Sequence, residues 1–454
     1  MPFITESFLL ESKFARELYA RSAEPCPVVD FHNHLPVRDL CGDRKYPDIG
    51  TLWVCPDPYK HRAMRLMGLD ERLISGDASP REKFDAWCGV FPALVGNPLF
   101  HWSCLELKRF FGLDLIPDRK NAAQVWDRCN ALLAEDGYTV GALLRKAGVI
   151  RATTSDDLLD DTDLHRAASE KTGISVTPSL RADSITAFNP AWMERLEAGD
   201  PSLDAYLEAV SLRLDRFGRN GCRLSDQALD NGFAYKATSR ERASWLFQKR
   251  DRLDRTEKTE LSSYVLEWLG RQYAARGWVM QLHIGAERWT STRLRTLAGS
   301  AGGFACPGSG TDIRSLCRFL DSMDRDGGMP KVILYTLNPA DNAALATLTG
   351  SFSESRVQKV KFGPAWWFND HLYGIRENLE ILSNYSLLSQ SLGMTTDSRN
   401  VLSFSRHEYF RRILCNWLGE KVAAGLFPGD PDLMDNLVKD ICYRNANHWI
   451  YGQE

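Results

Sequence analysis

The chain has 454 residues, with 56 Lys and Arg against 59 Asp and Glu, a formal net charge of −3. No basic excess exists to neutralise a phosphate backbone, which disfavours general nucleic-acid binding. A hydrophobic fraction of 44% suits a packed core and excludes disorder as the main state, and no apolar run approaches the ~20 residues of a membrane span.

The start, Met1-Pro2-Phe3-Ile4-Thr5-Glu6, lacks the basic opening and apolar stretch of a secretory signal. Eleven cysteines are scattered without a Cys-x-x-Cys pair, the pattern of reduced thiols in a cytoplasmic enzyme. Eight short β-type runs then follow in order, at 28–32, 149–154, 175–180, 222–225, 278–283, 331–337, 359–364 and 393–397. Between most of them lie amphipathic helical patterns, clearest at 203–217 and 261–275. Leu203, Tyr206, Leu207, Val210, Leu214 and Phe217 form one stripe. Strands alternating with helices predict parallel βαβ units, and eight units predict an α/β fold, a (β/α)8 TIM barrel.

The gap between the first two runs reads as helix, predicting a helical insertion at 36–148 within a single barrel spanning 1–454. Ser79-Pro80-Arg81-Glu82 is a capping box with proline at the first helical position. Asn97-Pro98 starts a helix over 99–111 that Gly112 stops, and further helices are predicted at 121–134 and 139–147. Residues 301–310, rich in glycine, read as a mobile loop.

In such a barrel the site lies at the C-terminal ends of the strands. The first run ends Asp30-Phe31-His32-Asn33-His34, the fifth Gln281-Leu282-His283 and the eighth Thr396-Asp397-Ser398-Arg399. Alternate strand residues share a face, so His32 and His34 are expected to point together into the mouth. Three imidazoles and a carboxylate can converge there on one divalent metal such as zinc. His283 also reads as a substrate contact or a satisfied buried histidine, and Asp397 as a cap. Arg181 ends the third run and suits a carboxylate clamp. Ser225-Asp226-Gln227 offers hydrogen bonds to hydroxyls. Trp366, in Trp366-Trp367-Phe368-Asn369-Asp370, reads as core or as a wall for a sugar's apolar face. Tyr59 either covers core or reaches the pocket from the insertion. Asp156-Asp157 reads as loop polarity, and Ser405-Arg406-His407-Glu408 as a capping box opening a helix over 406–418.

At these residues the sequence resembles the uronate (glucuronate) isomerases of the amidohydrolase superfamily. The resemblance runs from Ile4-Thr5-Glu6-Ser7-Phe8 through Asp30-Phe31-His32-Asn33-His34, Tyr59-Lys60, Gly96-Asn97-Pro98-Leu99 and Trp366-Trp367-Phe368-Asn369-Asp370. It continues to Thr396-Asp397-Ser398-Arg399 and Arg406-His407-Glu408-Tyr409-Phe410-Arg411-Arg412. Many blocks in order are stronger evidence than one motif. The resemblance implies an intramolecular oxidoreductase that interconverts D-glucuronate with D-fructuronate, or D-galacturonate with D-tagaturonate, through a cis-enediol. It implies His32, His34 and Asp397 as the metal site, with Asp397 also starting proton transfer. Tyr59 and Arg399 would contact the reacting carbons, and Arg181, His283 and Trp366 the rest of the substrate.

The chain departs from the family where it has Pro58-Tyr59-Lys60-His61 in place of His-Tyr-Lys-Trp, and Ser225-Asp226-Gln227 in place of Ser-Asp-His. Both replaced histidines are expected in or beside the pocket. Arg181-Ala182-Asp183 stands for Arg-Pro-Asp. The competing readings are a metal-dependent hydrolase or another sugar-acid isomerase or dehydratase on the same ligands, and a non-catalytic uronate binder. The expected partner is a small hexuronate, with neither nucleic acid nor membrane. Most soluble oligomers are symmetric homo-oligomers, but no interface stripe is legible here.

Overall fold

The computed structural model describes residues 2–299, 302–354 and 357–452. Its centre is one parallel sheet of seven strands. They are β1 (Val28–Asn33), β2 (Val149–Asp157), β3 (Ser175–Arg181), β4 (Leu224–Leu229), β5 (Val279–Ile284), β6 (Lys331–Thr336) and β7 (Val360–Phe362). They lie side by side in chain order, and the sheet curls as a barrel wall.

The eighth predicted run, 393–397, is not a strand. It lies beside β1 on an irregular set of bonds: Asp397 N to His32 O at 3.0 Å and His34 N to Ser398 O at 2.8 Å. Side chains replace the rest of a ladder, with His32 N donating to Thr395 Oγ1 and Thr396 N to Asp30 Oδ2, both at 2.8 Å. The fourth run also differs. β4 starts and ends later than predicted, because Ser225, Asp226 and Gln227 pair in register with Met280, Gln281 and Leu282 of β5. Their polarity reads as loop, yet the ladder continues through them.

Two cores flank the sheet. Val29, Phe31, Leu224, Val279 and Ile333 fill the inside, joined by Trp449 and Ile450 of the C-terminal helix Asn445–Tyr451. A larger core lies between the sheet and the surrounding helices. The helix Leu203–Arg219 buries all six residues of the predicted stripe. The second long pattern begins earlier than expected, as Arg255–Ala275, because Asp254 and Glu257 form a capping box.

Between β1 and β2 the chain runs through helices that include Pro58–Leu66, Pro80–Val90, Pro98–Phe111, Ala122–Leu133 and Val140–Lys146, plus one isolated bridge between Lys45 and Thr139. The capping box at Ser79 and Glu82 forms as read, and Gly112 ends its helix at φ 66°. Of the glycine-rich stretch, Ala301 lies outside the described residues, and Cys306–Pro307 pairs with Ala286–Glu287. Among the described residues no helix is long and apolar enough to cross a membrane, and no cysteine is in a disulfide.

Candidate active site

β1 sets the geometry. Its register against β2 slips between Asp30 and Asn33. Asn33 bonds back to Asp30 at 2.9 Å, and Asp30 pairs with His407 Nε2, also at 2.9 Å, on the helix Arg406–Ala423. Such a slip re-aims side chains next to active sites. Here it turns both histidines toward one carboxylate. Asp397 Oδ1 lies 3.2 Å from His32 Nε2 and 3.0 Å from His34 Nε2. Trp366 Nε1 donates to the other oxygen at 3.1 Å. Burial alone would raise Asp397, but its bonds to the two imidazoles hold it well below the usual carboxylate range.

His32, Asp226 and His283 form a second, overlapping group of potential ligand atoms. His32 Nδ1 and His283 Nε2 are buried without a hydrogen-bond partner. Orphaned imidazole nitrogens facing carboxylates suit a borderline divalent metal. Burial lowers His283 and His34, favouring the neutral form that ligates. It also opposes charging of His32, yet Asp397, Asp226 and Asp30 prevail and raise it. Burial pushes Asp226 up to about 6.

One cavity of about 520 Å³ collects the predicted residues. His32, His34, Tyr59, Arg181, His283, Trp366, Asp397 and Arg399 all line it. Tyr59 enters from the helix Pro58–Leu66, capped by Asp57, whose side chain accepts from Tyr59 N and Lys60 N. Lys60 is buried and holds Asp57 Oδ2 at 2.5 Å, fixing that cap. The ring of His283 stacks on Tyr335 at 4.6 Å and 5°. Trp366 and His32 also lie against it, each at 4.7 Å, and Trp366 with Tyr335 forms an aromatic wall.

The structure corrects two readings and adds residues. Gln227 does not reach this cavity. It donates to Tyr273 Oη at 2.8 Å and lines a separate space of about 480 Å³ behind the sheet, because alternate β4 residues face opposite sides. Pro58 does line the active cavity. The capping box at Ser405 does not form. Ser405 has helical dihedrals and caps nothing, and Glu408 pairs instead with Arg109 and Arg412, both at 2.8 Å. That leaves Arg406 turned inward, where it bonds Asp370 at 2.7 Å, and Asp370 in turn accepts from Tyr59 Oη at 2.8 Å. Arg288, over the Trp367 ring at 5.5 Å, adds a third cation to Arg181 and Arg399. In the sequence Asp226 reads only as a hydrogen-bonding partner for hydroxyls, and Arg288, Asp370 and Arg406 are given no role in the site.

A curled parallel sheet with a His-His-Asp cluster at its C-terminal end defines an amidohydrolase-like TIM-barrel enzyme. The glucuronate isomerase family model matches residues 1–450. A uronate isomerase of Salmonella arizonae is 42% identical over 464 residues, covering 99% of each chain. One from Caldanaerobacter subterraneus is 39% identical over 462 residues, again covering 99% of each. The crystal structure of the Thermotoga maritima uronate isomerase superimposes with a TM-score of 0.92 at 31% identity, over 99% of this chain and 100% of that one. The chain belongs to the uronate isomerase family. These comparisons do not favour the hydrolase reading.

Proposed function

We propose that the protein isomerises hexuronates in the cytoplasm, D-glucuronate to D-fructuronate and D-galacturonate to D-tagaturonate, through a cis-enediol. The carrying observation is that one cavity joins the His32, His34 and Asp397 cluster to Tyr59 and Arg399. Residues 36–148 act as a helical insertion that brings Tyr59 over the barrel mouth.

His32, His34 and Asp397 are the residues that would hold a divalent metal, with zinc best matched to two imidazoles and a carboxylate. When bound, such a metal polarises the substrate's oxygens as a Lewis acid and fixes its position. The chain's own groups do the rest. Asp397, kept ionised, accepts the proton of the sugar hydroxyl lodged beside it; the alkoxide so formed takes the C2 hydrogen, returns it to C1, and recovers its own proton from Asp397. Tyr59 hydrogen-bonds the C1 oxygen, and Arg399 the C2 and C3 hydroxyls, where negative charge develops as the C2 hydrogen leaves. Arg399 is half-buried and has no hydrogen bond or ion pair among the described residues, which leaves its donors available to substrate. Arg181 clamps the sugar acid, and Trp366 and His283 wall its carbon chain.

The test is to incubate the purified, zinc-supplemented protein with each uronate in deuterated water and follow products by NMR. Ketose formation is the expected result. No ketose from either sugar, with zinc shown to be bound, would overturn the reading.

A further inference from the structure

Asp370 and Arg406 are 4% and 3% exposed at their side chains, and Arg406 Nη1 donates to Asp370 Oδ2 at 2.7 Å. The Tyr59 hydroxyl donates to the same oxygen at 2.8 Å. Arg406 Nη2 donates to the backbone oxygen of Thr396 at 2.5 Å, one residue before Asp397. The guanidinium also lies 5.4 Å from the Tyr59 ring and 5.0 Å from that of Trp102. Thus one buried arginine ties the partner of Tyr59 to the segment carrying Asp397. A buried ion pair gains little stability over apolar residues of the same shape, because desolvation offsets its attraction. What this pair does provide is a carboxylate behind a cavity-lining hydroxyl. With its single proton donated to Asp370, Tyr59 offers its lone pairs to a substrate hydroxyl, and it donates to the C1 oxygen only once Asp370 carries a proton.

We propose that Asp370, held by Arg406, is the proton reservoir behind Tyr59, so that Tyr59 takes a hydroxyl proton from the bound sugar and returns one to the neighbouring oxygen. The inference rests on the isomerase reading and deepens it. Once the C2 hydrogen has left, the enediolate carries its charge at O1 and a proton at O2, whereas the ketose needs that proton at O1. In the first transfer the O2–H and Tyr59 O–H bonds break, new Tyr59 O–H and Asp370 O–H bonds form, and the negative charge moves from Asp370 to O2. In the second, the Asp370 O–H and Tyr59 O–H bonds break, while new Tyr59 O–H and substrate O1–H bonds form. One proton has moved from O2 to O1, Asp370 is again ionised, and no further reactant is needed.

Burial pushes the Asp370 carboxyl up to about 7 against the pull of Arg406 and Tyr59, and Asp397 adds to the rise. Such a carboxyl is basic enough to share a proton with a substrate hydroxyl near neutrality. Tyr59, Arg406, Asp397 and Tyr409 are the ionisable groups that act on it. Asp370 acts through Tyr59 and is therefore a positioning and relay residue.

The decisive experiment is a double-mutant cycle on kcat and KM with Asp370→Asn, Tyr59→Phe and the pair. Asp370→Asn is expected to lower kcat about 10²-fold with KM little changed, and to cost little more once Tyr59 is phenylalanine. Equal losses in both backgrounds would reduce Asp370 to a structural role and overturn the proposal. A readout free of turnover is the carbon-13 titration of the Asp370 carboxyl, assigned by its absence in Asp370→Asn. Its midpoint is expected near 7 and should rise in Tyr59→Phe, which removes a donor to the carboxylate. A midpoint in the ordinary aspartate range, unmoved by Tyr59→Phe, would also overturn the proposal. Wild-type protein that turned over neither uronate would sink the isomerase reading instead, and the titration would still decide whether Asp370 and Tyr59 share a proton.

Discussion

Asp397 combines an unusual backbone with an unusual charge. Its φ of 49° lies in the left-handed region, which few non-glycine residues adopt and aspartate tolerates better than most. Residues held there cluster at functional sites because the surrounding structure must enforce them. The enforcement is visible: Asp397 N bonds His32 O, Trp366 bonds Oδ2, and both histidines meet Oδ1. Asparagine has the same shape and tolerates the same dihedrals, but it neither carries the charge nor accepts a proton. Asp397→Asn should therefore lower kcat by about 10³-fold or more while leaving the thermal midpoint of the metal-free protein within a few degrees. Steady-state kinetics beside a melting curve checks this, and an active variant would remove Asp397 from proton transfer.

At the scale of elements, two Ser-x-x-Glu sequences have opposite fates. Ser79 caps Pro80–Val90, and Glu82 answers it with bonds to Ser79 N and Oγ. Ser405 caps nothing, and its hydroxyl is buried without a partner. Ser79→Ala should cost about 1 kcal/mol, whereas Ser405→Ala should cost almost nothing, since it removes an unsatisfied buried group. Urea unfolding of the two variants separates them. The difference marks what was legible in the sequence. Strands β1, β2, β3, β5, β6 and β7 could be read because their burial is encoded in local apolar runs. His32, His34 and Asp397 could be read because they end such runs. β4 was displaced because its pairing with β5 overrides its polarity. Arg406 was hidden because its role depends on Asp370, 36 residues away in the chain, and its local sequence spells a cap.

Over the whole molecule, burial of histidine couples stability to pH. Desolvation lowers His34, His61, His101, His283, His371 and His407. Each binds a proton more readily in the unfolded chain, so each makes folding less favourable as acid is added. Asp226 and Asp370 work in the opposite sense. Burial raises them to about 6 and about 7, so the folded state holds their protons better, and they cost stability as pH rises from about 4, where the unfolded chain ionises, up to those values. His61 isolates the first effect because the charges that act on it most, those of Asp57, Arg65, Lys83 and Glu71, are none of the His-His-Asp cluster. It is 8% exposed, and its Nε2 has no partner. Burial lowers it to about 4, from the ordinary histidine value of about 6.5. Its contribution is complete above about pH 6.5, declines as the unfolded chain takes up the proton, and levels off below about 4. By pH 5 the loss amounts to about 2 kcal/mol. Leucine at this position fills a similar volume and cannot titrate. Urea unfolding at pH 7 and pH 5 should thus show His61→Leu losing about 2 kcal/mol less than wild type on acidification. An equal loss in both proteins would mean that His61 is hydrated in the folded state and that the helix above the site is looser than its packing indicates.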